Sequence, residues 1–200
     1  MKQSIVTLDL EGVLVPEIWI AVSEKTGIAA LRRTTRDEPD YDKLMRSRLA
    51  IMDEHGLKLA DIRAVINTLA PLEGAREFLA ALRPRAQVLI LSDTFLQFAN
   101  PLMRQLDWPT IFCNHLLVEN DRVTGYQLRQ PDQKRQSVRA LRQLCYQVIA
   151  AGDSYNDTTM LAEADHGFLF RAPANVRAEF PQYPCVEEHS QLLRLIEARL

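Results

Sequence analysis

The chain has 200 residues, with 24 Lys and Arg against 26 Asp and Glu, a formal net charge of -2 and 47% hydrophobic residues. A globular chain of this length buries about 70% of its unfolded surface, which argues against disorder. A near-even charge balance offers no cationic excess for a polyanion and argues against a nucleic-acid partner. No window approaches the run of about 18 apolar residues that a membrane span needs.

The first predicted element is a strand, Ser4-Ile5-Val6-Thr7-Leu8, and the acidic pair Asp9 and Glu11 behind it breaks any secretory leader. From Pro16 to Leu69 no strand is convincing. Three or four helices are predicted there, among them Glu17–Thr26, Tyr41–Glu54 and Leu59–Leu69, with proline and glycine punctuating the ends at Pro16, Gly56 and Pro71-Leu72-Glu73-Gly74. Then come a helix over 75–83, a strand over 87–91 and a helix over 95–106. Leu116–Leu128 reads as a small antiparallel hairpin, followed by a helix over 134–144, a strand over 147–151, a helix over 155–163, a strand over 167–170 and a helix over 189–199.

The strands are apolar on both faces and alternate with helices, which predicts an α/β fold with a doubly wound parallel sheet. Residues 1–15 and 71–200 form its core, and 16–70 form a helical cap inserted after the first strand. Trp19, Trp108, Phe95, Phe98 and Phe112 read as core. The four histidines have no ligand spacing and are assigned no chemistry. Cys113, Cys145 and Cys185 cannot all pair and read as free thiols of a cytoplasmic protein.

In an open parallel sheet, ligands bind beyond the carboxyl ends of the strands. Asp9 follows the first strand, Ser92-Asp93-Thr94 the second, and Gly152-Asp153-Ser154-Tyr155-Asn156-Asp157 the third, while Lys134 opens a helix between them. Asp9 and Asp153 brought together repel and call for a cation, and an all-oxygen site with an open face suits Mg²⁺. Asp157 lies one helical turn beyond Asp153. Ser92 offers a hydroxyl and an adjacent amide to phosphate oxygens, and Lys134 a point charge. A carboxylate nucleophile, a metal and such a cradle are what phosphoryl transfer requires.

These segments together resemble the four motifs of the haloacid dehalogenase superfamily, in order and across the whole chain. The runs Asp9–Ile20, Leu91–Phe95 and Ala151–Leu161 resemble more closely its bifunctional phosphoserine phosphatase/homoserine phosphotransferases. The resemblance implies Asp9 as the nucleophile that forms an aspartyl-phosphate, and Glu11 as the acid and base, in a place where the family usually has Asp. It implies Mg²⁺ on Asp9, the Glu11 carbonyl and Asp153, supported by Asp157. Ser92 and Lys134 would hold the phosphoryl group, Glu17 the substrate ammonium and Arg48 its carboxylate, with Asn156 and Asp93 lining the pocket. Asp93 also departs from the family, many members of which have Gly there.

The implied partners are phosphoserine and a homoserine acceptor, in serine or threonine metabolism. Oligomeric state stays open, a homodimer included. Two alternatives remain: a phosphatase for a nucleotide or sugar phosphate, and a non-catalytic binding protein on the same fold.

Overall fold

The computed structural model describes residues 2–35, 37–38 and 40–200; Met1, Arg36 and Pro39, which belong to the two expected units, lie outside the described residues. The chain runs through β1 (Ser4–Leu8), α1 (Ile18–Thr26), a 3₁₀ turn (Ala29–Arg32), α2 (Tyr41–Glu54), α3 (Leu59–Ile66) and α4 (Ala75–Leu82). It continues through β2 (Gln87–Phe95), α5 (Leu96–Gln105), β3 (Thr110–Glu119), β4 (Arg122–Gln127) and α6 (Gln133–Gln143). β5 (Gln147–Gly152), a 3₁₀ turn (Tyr155–Asp157), α7 (Thr158–Glu163), β6 (His166–Phe170), α8 (Ala174–Glu179), β7 (Cys185–Val186) and α9 (His189–Glu197) complete it.

The strands form one sheet in the order β4-β3-β2-β1-β5-β6-β7, parallel throughout except for the antiparallel β4. β1 is central. The chain winds outward from it through β2 and β3 on one side and later through β5, β6 and β7 on the other, so a crevice opens at the carboxyl edge beside β1. Side chains alternate across the sheet. Val6, Leu8, Ile90, Ile149 and Phe168 enter one apolar layer, while Ile5, Leu89, Leu91, Val148 and Leu169 enter the other. Burial on both faces is why these strands read as unbroken apolar runs.

The helices inserted after β1 share the first layer. Trp19, Val22, Met45, Ile62 and Ile66 pack in one cluster with Phe78 of α4 and Phe98 of α5, and Trp19 meets Phe98 edge to face at 5.6 Å. The β3–β4 hairpin braces them from the far side. Its two-residue turn places Asn120 and Asp121 at positive φ, as tight hairpins require. The Asp121 carbonyl accepts the Leu59 amide at 2.9 Å, and its carboxylate accepts the Ala60 amide at 3.2 Å, so it caps α3. Arg122 next to it forms a two-pronged pair with Asp53 of α2 at 2.6 and 2.8 Å.

Several elements differ from the sequence reading. The predicted hairpin is only part of a longer strand: β3 begins at Thr110, where it pairs in parallel with β2, and its tail turns back with β4. β2 runs on through an irregularity to Phe95, so Ser92 and Asp93 lie inside an extended stretch rather than after it. β7, α8 and the first 3₁₀ turn were not anticipated. Two aromatics are not core. Trp108 is 63% exposed, in a turn where Asp107 and Trp108 both take positive φ, and Phe112 is 37% exposed under the Arg129 guanidinium.

His189 has a structural use. Its Nε2 lies 2.8 Å from the Val13 carbonyl oxygen and its Nδ1 2.9 Å from that of Glu73, and its ring packs on Phe78 and Phe170. Val13 precedes and Glu73 follows the inserted helices, so the ring sits between both connections; burial favours the neutral imidazole, whose single N–H donates to one of the two carbonyls. His189→Ala removes that bond and leaves a void. It is expected to lower unfolding free energy by about 2–4 kcal/mol, read as a drop in the urea midpoint; an unmoved midpoint would show the joint to be idle.

Candidate active site

Asp9 follows β1, with its amide bonded to the Ala151 carbonyl of β5 at 3.0 Å and its Oδ1 accepting the Leu10 amide at 2.7 Å. The chain then folds on itself, with the Leu14 and Val15 amides both donating to the Leu10 carbonyl. Gly12 sits at φ +76 in this loop. A Cβ there would stand 2.4 Å from Asp153 Oδ2, so only glycine lets the first loop approach the third. Gly152 meets the same constraint against Asp157, whose Cγ would lie 2.3 Å from an added Cβ.

The carboxylates of Asp9, Asp153 and Asp157, all buried, offer oxygens within 4.8 Å of one another. Lys134 Nζ stands among them, 2.7 Å from Asp157, 3.0 Å from Asp9 and 3.8 Å from Asp93. Asp157 Oδ2 accepts the amides of Asp153 and Ser154 at 2.9 and 3.2 Å, so both its oxygens are engaged by the chain. Burial and then the Asp157 charge push the Asp9 carboxyl well above the usual range, despite Lys134. Burial, Asp157 and Glu17 push Asp153 up to about 7. Burial opposes the Lys134 ammonium, but Asp157, Asp9 and Asp93 together outweigh it and hold the group charged. One ammonium therefore faces more buried carboxylate than it can offset. The donor set is all oxygen, and these residues fit a divalent cation such as Mg²⁺.

Around this centre one cleft gathers Asp9, Glu11, Glu17, Arg48, Ser92, Asp93, Lys134, Asp153 and Asn156; of the anticipated residues only Asp157 lies beneath it rather than on its wall. Glu11 turns its Oε2 to the Ile18 amide at 2.8 Å and so caps α1. Burial and the Glu17 charge push its carboxyl up to about 7, against the Ile18 amide and Arg48. Ser92 Oγ accepts the Thr94 amide at 3.2 Å, which leaves the hydroxyl proton to donate elsewhere. Asn156 donates to Asp93 Oδ2 at 3.2 Å.

Arg48 is buried over the Trp19 ring at 4.5 Å, with one terminal nitrogen on the Arg33 carbonyl at 2.8 Å. Burial lowers its pKa to about 10, with Glu11, Tyr41 and Glu17 opposing the shift. Its Nε is buried without a hydrogen-bond partner among the described residues. Arg46, two residues away, is exposed and paired with Asp42.

Sequence reasoning missed four contributors. Trp19 is core, as expected, and in addition floors Arg48. Tyr41 enters from α2, Gln133 holds the Ser92 carbonyl, and Thr94 fixes the Ser92 hydroxyl. Tyr41 alone left a usable signal, because it lies seven residues before Arg48 and so on the same helix face.

A family model for haloacid dehalogenase-like hydrolases matches residues 4–165. A phosphoserine phosphatase of Pseudomonas syringae pv. tomato is 67% identical over 189 residues, 94% of this chain and 80% of that protein. Phosphoserine phosphatase ThrH of Pseudomonas aeruginosa is 66% identical over 191 residues, 95% of this chain and 93% of that protein. Among solved structures, a substrate-bound phosphoserine phosphatase complex superposes with a TM-score of 0.79 at 18% identity, over 98% of this chain and 99% of that one. At that identity the superposition speaks for the fold alone.

Gly12→Ala drives a methyl group into the Asp153 carboxylate and strains a positive-φ backbone. It is expected to lower turnover of any phosphate ester at least 100-fold while the far-ultraviolet circular dichroism spectrum is kept, since about 3 kcal/mol of misplacement suffices; near-normal turnover would show that the two loops need not meet.

Proposed function

The chain belongs to the haloacid dehalogenase-like hydrolases, and on that premise we propose that it is a Mg²⁺-dependent phosphatase and phosphotransferase for phosphoserine. Residues 1–15 and 71–200 carry the chemistry, and 16–70 act as the cap that selects the substrate. Three free cysteines fit a cytoplasmic setting.

Asp9, Asp153 and the Glu11 carbonyl would hold the metal. Asp157 would act through the loop amides and Lys134 that its two oxygens engage. When bound, Mg²⁺ offsets the charge of carboxylates and phosphoryl oxygens that would otherwise repel each other. An Asp9 carboxylate oxygen forms a bond to phosphorus as the bond from phosphorus to the serine oxygen breaks. The Glu11 carboxyl gives its proton to the leaving oxygen. The resulting Glu11 carboxylate then takes a proton from water or an alcohol, whose oxygen attacks phosphorus and frees Asp9. Ser92 donates its hydroxyl proton, and Lys134 its charge, to the equatorial oxygens.

The observation that carries the substrate class is the unpartnered, buried Nε of Arg48 over Trp19. A desolvated guanidinium with a free donor calls for a carboxylate, and Glu17, which lines the same cleft, suits the ammonium of the same amino acid. The names of the relatives point the same way. Asp9→Asn should abolish turnover. Arg48→Ala should raise KM for phosphoserine about 10- to 100-fold, the loss of a charged hydrogen bond worth about 1.5–3 kcal/mol, and should alter p-nitrophenyl phosphate hydrolysis far less. An equal effect on both esters would favour a nucleotide or sugar phosphate, and no turnover of any ester a binding protein.

Transfer to homoserine is the finer reading, and the Glu11 geometry supports it. With its carboxylate held on the Ile18 amide, Glu11 is poorly placed to activate water, so the aspartyl-phosphate survives long enough for an alcohol to compete. Glu11→Asp should raise the ratio of free phosphate to phosphohomoserine when phosphoserine is supplied with homoserine; an unaltered ratio would sink this explanation.

A further inference from the structure

We propose that Tyr41 is a positioning residue, a latch whose hydroxyl sets Arg48 and the phosphate-holding loop in one register. The kinetic part of this inference rests on the amino-acid phosphate reading.

Asp40 caps α2 by accepting the Lys43 amide at 3.1 Å, which fixes where the helix begins and where Tyr41 points. Tyr41 and Arg48 then lie two turns apart on one face. The Tyr41 hydroxyl donates to the Asp93 carbonyl at 3.0 Å, and Asn114 Nδ2 donates to the same oxygen at 3.1 Å, so both its lone pairs are used. The amide of that same planar peptide unit is Thr94 N–H, the donor that meets Ser92 Oγ. A hydroxyl on the cap helix thus orients the peptide that orients the Ser92 hydroxyl, while Gln133 holds the preceding carbonyl of Ser92.

The ring is itself held. It packs edge to face on Tyr126 at 5.9 Å, and the Tyr126 hydroxyl donates to Asp42, the next residue of α2. Burial, with the Asp93 charge, keeps the Tyr41 hydroxyl protonated and therefore a donor. The bonds from the hairpin, Arg122 to Asp53 and Asp121 to α3, hold the cap without touching the cleft. Glu11 joins the nucleophile loop to α1, and Tyr41 joins the phosphate loop to α2.

Tyr41→Phe removes one oxygen and keeps the ring. In the full-length enzyme it is expected to raise KM for phosphoserine roughly fivefold, with a smaller change in kcat. Combined with Arg48→Ala, it should add nothing to the effect of Arg48→Ala alone, because the two act through one placement. Independently of any substrate, amide exchange at Thr94 should quicken about tenfold. Additive effects on KM, or unaltered Thr94 exchange, would overturn the latch. A wild-type enzyme inert toward phosphoserine would remove the substrate reading, and Thr94 exchange would still decide the latch.

Discussion

The molecule is organised around one electrostatic problem: Asp9, Asp153 and Asp157 are buried within reach of each other with Lys134 between them. Such a cluster is costly unless every charge has a partner. The sheet makes it tolerable by geometry. Asp9 and Asp153 each follow a central strand, so their positions are set by the β1–β5 ladder and not by flexible loops. Asp157 is pinned by two amides and the ammonium, and the glycines at 12 and 152 let the backbones come close enough to bring the three carboxylates within 4.8 Å of one another. Burial and the Asp157 charge raise the carboxyls of Asp9 and Asp153, and a divalent ion bound as proposed would offset the charge that Lys134 leaves.

On the proposed function, the inserted helices would solve a second problem, that of telling one phosphate ester from another. A cradle of Ser92 and Lys134 is indifferent to the rest of the substrate. Discrimination, on the proposed reading, would come from Glu17 at the start of α1 and Arg48 on α2, which line the same cleft. For that to work, the helices must meet the sheet in one register. The ties converge on it: a shared apolar layer through Trp19 and Phe98, the hairpin holding α2 and α3, and His189 between the two connections. The hairpin, which looks peripheral in the sequence, is thus part of what aims Arg48.

Much of this was legible because it depends on local pattern. β1 and β5 show as apolar runs ending in Asp9 and Gly152-Asp153, and strand ends are where such sheets bind ligands. β3 was half missed because Thr110–Asn114 carries mixed polarity at the start of a strand that leaves the buried sheet for a solvent-facing hairpin. β7 has two residues, too few for any periodicity. Trp108 and Phe112 were misplaced because bulk and apolarity do not encode which side of a turn faces water. Gln133 holds a backbone carbonyl 41 residues away, and such a partner leaves no spacing to read; Thr94 acts through its backbone amide, which does not depend on residue type; Tyr41 left only its seven-residue spacing to Arg48.

Glu11 shows why residue type alone underdetermines a site. Relative to Asp, its extra methylene reads as a carboxylate with longer reach. In the folded chain that reach is spent sideways, on the Ile18 amide that α1 would otherwise leave unsatisfied. The helix N-terminus favours the charged form, while burial and Glu17 favour the neutral one. The same group therefore stands between stabilising a cap helix and serving a reaction. In the proposed reaction, each proton it gives or takes would alter its hold on α1, whose N-cap is Glu17, so acid–base chemistry and substrate selection would meet in one side chain.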